Sequence, residues 1–290
     1  ANYNLGAQGG QNIAVGDFDN NSTQDLAVIS RYSNIYRIYM GNGDGTFTAK
    51  VSVAEGAGGD PSFVVAGLFD GDATQDLVIA HLNTNNVNTL NVHHGNGDGT
   101  FTLFTNMWIT PINPFGIGVT DYNSDGTQDL AVAFLGGTIR VMLGVGNGTF
   151  ALVSSNNAAG AARGVLTDDI NADGLRDMVV NCYGRDEISV YLGNGDGTFT
   201  SRTNFPTGND AYYSACGDFN GDGNLDVMTA NSGDYTVSPM IGDGLGGFNI
   251  YTQKRYAVGV SLFHLTTADF NNDNQPDIGT ANYGGGSAGV

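Results

Sequence analysis

Gly193-Asn-Gly-Asp-Gly-Thr-Phe199 decides the fold, because it recurs. The same heptad stands at Gly41 to Phe47 and at Gly95 to Phe101, with degenerate copies at Gly144-Val-Gly-Asn-Gly-Thr-Phe150 and Gly242-Asp-Gly-Leu-Gly-Gly-Phe248. The five copies start 54, 49, 49 and 49 residues apart, and a fixed period of that size marks an array of supersecondary units. A second motif keeps the same phase. It is an acidic loop starting at Asp17, Leu68, Asp121, Asp169, Asp218 and Asp269, at spacings of 51, 53, 48, 49 and 51 residues. The two motifs divide the chain into six repeats, about 7–55, 56–109, 110–158, 159–207, 208–257 and 258–290 together with 1–6.

Within a repeat the apolar residues fall in short β-rich runs, as in Asn12 to Phe18, Leu26 to Ser30, Ile35 to Met40 and Phe47 to Val53, which predicts four strands. Asn-Gly and Asp-Gly steps accept positive φ, so the heptad reads as the hairpin from the third strand to the fourth. Four antiparallel strands repeated radially define a propeller blade, and the expected fold is an all-β, six-bladed propeller. The sixth repeat lacks the heptad and ends in Gly284-Gly-Gly-Ser-Ala-Gly-Val290. Its blade is expected to be incomplete and closed in one of two ways. Ala1 to Gly6 supplies the outer strand, with Ser287 to Val290 as a short third one, or a neighbouring chain adds a strand, which would make the protein a self-assembling homo-oligomer or filament.

Composition narrows the function. The 29 Asp and Glu outnumber the 10 Lys and Arg for a net charge of −19, which repels phosphate backbones and argues against nucleic acid as a partner. No apolar run is long enough to span a membrane. Ala1-Asn2-Tyr3-Asn4 has no signal-peptide character, although a secreted protein would have lost its signal. Cys182 and Cys216 are too few for a disulfide framework and match no zinc or redox spacing, so buried thiols are expected, with a single bridge the alternative. Sequons at Asn20-Asn-Ser22, Asn21-Ser-Thr23 and Asn147-Gly-Thr149 would mark a glycoprotein if it is secreted.

The acidic loops carry the strongest chemical signal. Three copies place oxygen side chains at positions 1, 3, 5 and 9: Asp121, Asn123, Asp125, Asp129; Asp169, Asn171, Asp173, Asp177; and Asp218, Asn220, Asp222, Asp226. Carboxylates so close repel one another unless a hard cation lies between them, and calcium tolerates such a cage better than magnesium does. Glycine at position 6, as Gly126, Gly174 and Gly223, permits the sharp turn. Asp269, Asn271, Asp273 and Asp277 complete a fourth site, with Asn274 in the glycine's place, and Asp17, Asp19, Asn21 and Asp25 a fifth, with Ser22 there. The second loop has Leu68 at position 1 and Ala73 at position 6, leaving Asp70, Asp72 and Asp76, and is expected to be the weakest. The set lacks Glu at position 12 and flanking helices, which excludes an EF-hand. Asx turns capping the strands account for one such loop as well as calcium does, but not readily for five in phase.

Taken together, the D-x-[DN]-x-[DN]-G-x-x-D loop and the Gly-Asn-Gly-Asp-Gly-Thr-Phe hairpin resemble the FG-GAP (VCBS-type) repeats of integrin α-subunit propellers and of related microbial and fungal propeller proteins. The resemblance covers nearly the whole chain and implies loop calcium and an extracellular, adhesive or ligand-binding role. Its members usually close seven blades, against six repeats here. The expected function is a non-catalytic adhesion or structural module whose partner is a protein or glycan on a cell surface or matrix. A lectin is the alternative, since Tyr32, Trp108, Tyr183, Tyr212, Tyr213 and Tyr283 fall near loops, although packing explains most such aromatics. A polysaccharide-active enzyme ranks third. There is no Gly-x-Ser-x-Gly elbow or His-Glu-x-x-His helix, Asp168-Asp169 belongs to a calcium loop, His93 and His94 should face opposite ways on a strand, and His81 and His264 stand apart in sequence.

Overall fold

The computed structural model describes residues 10–55, 59–82, 88–110, 113–250, 255–282 and 287–289. Strands β1 (Gly10–Gly16), β2 (Asp25–Ser30), β3 (Ile35–Gly41) and β4 (Phe47–Ala54) form the first sheet in that order. β5 (Asp60–Gly67), β6 (Asp76–Leu82), β7 (Asn88–Gly95) and β8 (Phe101–Ile109) form the second. The third contains β9 (Pro114–Thr120), β10 (Asp129–Phe134), β11 (Thr138–Gly144) and β12 (Phe150–Asn157), and the fourth β13 (Ala161–Asp168), β14 (Asp177–Tyr183), β15 (Glu187–Tyr191) and β16 (Thr203–Pro206). In the fifth, β17 (Ala211–Gly217), β18 (Asp226–Asn231) and β19 (Thr236–Gly242) are followed by β20 (Phe248–Ile250) and β21 (Tyr256–Ala257), which both pair with β19. The sixth consists of β22 (Leu262–Ala268), β23 (Asp277–Asn282) and β24 (Ser287–Gly289). Six sequential antiparallel meanders of this kind are the blades of a β-propeller.

The short third strand expected at Ser287 is present as β24, paired with β23. Ala1 to Gly6 and Tyr283 lie outside the described residues. By internal contacts the chain divides into two compact units, Ala1–Asp121 with Asp125–Phe134 and Met142–Leu152, and Tyr122–Ser124 with Leu135–Val141 and Val153–Val290.

Burial explains the sequence pattern of the strands. β6 and β10 are buried at every residue, and a strand covered on both faces reads as a continuous apolar run, as Leu77-Val-Ile-Ala80 does. The outer β8 instead has mostly exposed or half-exposed residues. In the first unit Ala14, Ile29, Tyr36 and Ile38 of the first sheet pack on Val64, Leu77 and Ile79 of the second. In the second unit Val179, Ile188 and Val190 meet Val227 and Met240, and Ala230 and Val237 meet Leu262 and Leu265. Each innermost strand also carries a register shift against its partner, for instance between Gly10 and Asn12, Pro61 and Phe63, and Ala211 and Tyr213. Such β-bulges bend and twist the strand that carries them.

A polar cluster interrupts the first unit's core. Glu55, just after β4, is buried, and its carboxylate lies 3.2 Å from Nε2 of His81 on β6 and 3.2 Å from Nε2 of His93 on β7. Asn91 donates to it at 2.9 Å, and the Tyr36 ring meets His93 edge-on. His81, solitary in the sequence, therefore shares a partner with His93. Burial by itself would raise the Glu55 carboxyl, but the two imidazoles outweigh it and hold the group down at about 2.

Removing the buried carboxylate leaves Asn91 and His93 without their acceptor, so Glu55→Ala should lower unfolding free energy by roughly 1–3 kcal/mol for each stranded group, measured by urea denaturation. Because folding lowers this carboxyl below its ordinary 4.5, the clamp contributes fully above that value and loses its contribution as pH falls toward 2. The stability difference between wild type and Glu55→Gln should shrink over that same interval.

Candidate metal loops and the hairpins that hold them

Every acidic loop links the first strand of its sheet to the second, and its backbone is shaped by its own side chains. The position 1 carboxylate accepts the N–H groups of positions 5 and 6: Asp17 from Asn21 and Ser22, Asp121 from Asp125 and Gly126, Asp169 from Asp173 and Gly174, Asp218 from Asp222 and Gly223, and Asp269 from Asp273 and Asn274. The position 5 oxygen in turn accepts the N–H of position 7 in all six loops. These contacts hold Asp218 and Asp269 below the usual carboxyl range, chiefly through the N–H groups of Gly223 and Asn274.

Two positions take left-handed backbone, where the sequence pointed to one. Position 6 is left-handed in five loops, including Ser22 at φ 68° and Asn274 at 64°, and position 4 is left-handed in all six, including Ser124 and Ala172 at 58°. Position 4 went unread because Asn20, Ser124 and Ala172 are not glycine, and non-glycine residues enter this region only where surrounding contacts impose it.

The position 9 aspartate does something the sequence did not disclose. Asp25, Asp76, Asp129, Asp177 and Asp226 are fully buried. Oδ2 accepts the position 2 N–H, from Phe18, Phe69, Ile170, Phe219 and, in the sixth loop, Phe270 onto Asp277. Oδ1 accepts the N–H of the heptad's first glycine, from Gly41, Gly95, Gly144, Gly193 and Gly242 at 2.7–3.0 Å. That glycine is required sterically, since a Cβ at Gly193 would sit 2.3 Å from the Arg176 carbonyl and one at Gly242 would sit 2.1 Å from that of Leu225. Burial raises Asp25, Asp76, Asp177 and Asp226, with the two N–H bonds opposing it.

The loops differ in how far their oxygens converge. Asp17, Asp19 and Asp25 present carboxylate oxygens within 4.8 Å of one another, the one such trio of acids or histidines among the described residues. Asp19 Oδ1 is buried with no hydrogen-bond partner, an orphan acceptor that suits a cation. In the fourth, fifth and sixth loops the carboxamide nitrogens of Asn171, Asn220 and Asn271 lie on the position 5 carboxylates of Asp173, Asp222 and Asp273, so an ion would require those amides to turn their oxygens inward.

The remaining sequence candidates are distributed as follows. Both cysteines are free, and the Cys216 thiol, pushed to about 12 by burial and by Asp168, donates to that carboxylate. His93 faces the buried Glu55 and His94 turns the other way, toward Asp70. Tyr213 stacks on His264 at 3.9 Å, and Tyr183 and Tyr212 flank the Arg163 guanidinium at 4.5 and 4.8 Å. Trp108 and Tyr32 are exposed.

The model of the FG-GAP-like repeat matches residues 17–79, 69–132, 169–229 and 218–280. The fold and its loops define a six-bladed β-propeller of repeat type, and the chain belongs to the FG-GAP-like repeat family. No curated protein sequence matches it. Among solved structures it is similar to BBS1N in complex with ARL6DN, soaked with lead, at TM-score 0.68 and 10% identity over 95% of this chain and 77% of that one. A protein from Lactobacillus plantarum is similar at TM-score 0.63 and 15% identity, over 98% and 84%.

Asp226→Ala leaves the half-buried N–H of Phe219 and the buried N–H of Gly242 without acceptors. At roughly 1–3 kcal/mol per stranded donor, it should be among the most destabilising loop substitutions, and thermal or urea unfolding without added metal will read the loss.

Proposed function

We propose that the chain is a calcium-braced, non-catalytic protein-interaction module that works outside the cell. The carrying observation is the first loop, where three carboxylates converge and Asp19 keeps a buried oxygen unpaired. The donor set is all oxygen, as a hard divalent cation demands. Asp17, Asp19, Asn21 and Asp25 would hold the ion there, and the matching positions of the third to sixth loops would do so elsewhere. When bound, calcium supplies charge neutralisation that the chain, at net −19, lacks. The loops lie at exposed blade edges and offer few carboxylates each, which suits the weak end of calcium affinities, roughly 0.1–1 mM, typical of extracellular modules.

The interaction role draws on the family and on BBS1N, whose solved structure contains ARL6DN as a partner. Among the described residues no helix is long and apolar enough to cross a membrane. A glycan is the second reading, favoured by Trp108, which leaves 74% of its surface uncovered on β8 and could stack on a sugar ring. Binding of the calcium-loaded chain to a glycan array, lost in Trp108→Ala, would favour the lectin. Binding confined to a protein array would favour the module.

Calcium near 100 times its dissociation constant stabilises a site by ~2.7 kcal/mol. Calorimetric melting should therefore show a calcium-dependent rise in Tm that EDTA abolishes and that Asp19→Ala reduces. An unchanged Tm would overturn the calcium reading.

A further inference from the structure

The second acidic loop departs from the others at two places in sequence, and the structure shows a third departure that accompanies them. Position 1 is Leu68 and position 6 is Ala73. Ala73 is not left-handed, although Gly71 at position 4 is. The residue before the heptad is Met40, Leu143, Leu192 or Ile241 in the other repeats, but His94 here. Its ring stacks on Phe104 of β8, centroids 4.1 Å apart and planes at 15°, and its Nδ1 lies 3.3 Å from Asp70 Oδ2. The one repeat without a position 1 carboxylate is thus the one that places an imidazole on its position 3 carboxylate.

The loop's carboxylates also accept backbone N–H groups, while Nε2 of His94 is buried without a hydrogen-bond partner. Asp70 Oδ1 accepts the Asp72 N–H, Asp72 Oδ1 accepts that of Thr74, and Asp76 accepts those of Phe69 and Gly95. The Leu68 N–H is bonded to Gln128 Oε1, at 2.7 Å. Asp19 in the first loop keeps a buried oxygen unpaired, whereas its counterpart Asp70 has a partner on each oxygen. An ion entering the second loop would have to displace an imidazole held in place by Phe104, and would find no carboxylate at position 1 in return. A neutral imidazole donating from Nδ1 suffices for this role, so the brace does not depend on a charged histidine.

We propose that His94 takes the place of an ion in the second loop, so that the chain carries five calcium sites and one built-in, metal-free brace. The inference rests on the calcium reading above. Native mass spectrometry of the intact chain over a calcium titration tests it, alongside amide hydrogen exchange. Wild type should saturate at five ions, and Asp70→Asn should leave that number unchanged. Leu68→Asp combined with Ala73→Gly and His94→Leu should raise it to six. In EDTA the Asp173 and Asp222 amides should exchange faster while that of Thr74 stays protected, and His94→Leu alone should speed Thr74 exchange by about tenfold, the effect of losing roughly one hydrogen bond. Six ions on wild type, or the loss of one in Asp70→Asn, would overturn this inference and leave the calcium reading standing. No ions on wild type would overturn the calcium reading, and this inference with it.

Discussion

A buried aspartate at the ninth position of the first five acidic loops is the contact on which those repeats depend. One oxygen holds the start of its own loop and the other holds the first glycine of the hairpin between the third and fourth strands. An ionised carboxylate out of water is costly unless its lone pairs are filled, and two backbone N–H groups fill them here. The arrangement is possible only if the hairpin backbone approaches the loop backbone closely, which is why the heptad opens with glycine. The loop and the hairpin are far apart in the sequence of a repeat, yet they are a single mechanical unit.

Neighbouring sheets are joined by a second recurring contact. The position 2 side chain of one loop packs on the heptad phenylalanine of the next repeat, edge to face in Phe18 with Phe101, Phe69 with Phe150, and Tyr122 with Phe199. Backbone bonds run beside two of these pairs, from Gly99 to the Phe18 carbonyl and from Gly148 to that of Phe69. Loop chemistry within a sheet and aromatic packing between sheets therefore converge on the same few residues.

Much of the fold was legible because repetition averages away ambiguity. A single Asn-Gly step is a weak hairpin signal, and five in register with an acidic loop are a strong one. Strand positions followed from runs such as Leu77 to Ala80 and from glycine placement. The left-handed Ala172 and Ser124 were not legible, since their side chains carry no such preference and the loop's hydrogen bonds impose the conformation. Nor was the bulge in each innermost strand, where no glycine or proline recurs at one position.

The sequence by itself determined the six repeats, the four-strand blade and the oxygen-rich character of the loops, because these follow from local spacing and residue chemistry. Tertiary structure alone decided which oxygens hold backbone N–H groups and which do not. Asp25 and Asp226 read as equal to Asp19 and Asp222 on the page, but folding buries the former against two N–H groups and leaves Asp19 with an oxygen unpaired. It also placed Glu55 between His81 and His93, and His94 against Asp70, pairs separated by 24 to 38 positions. Partners at that distance are chosen by strand pairing and sheet packing, which no local pattern records.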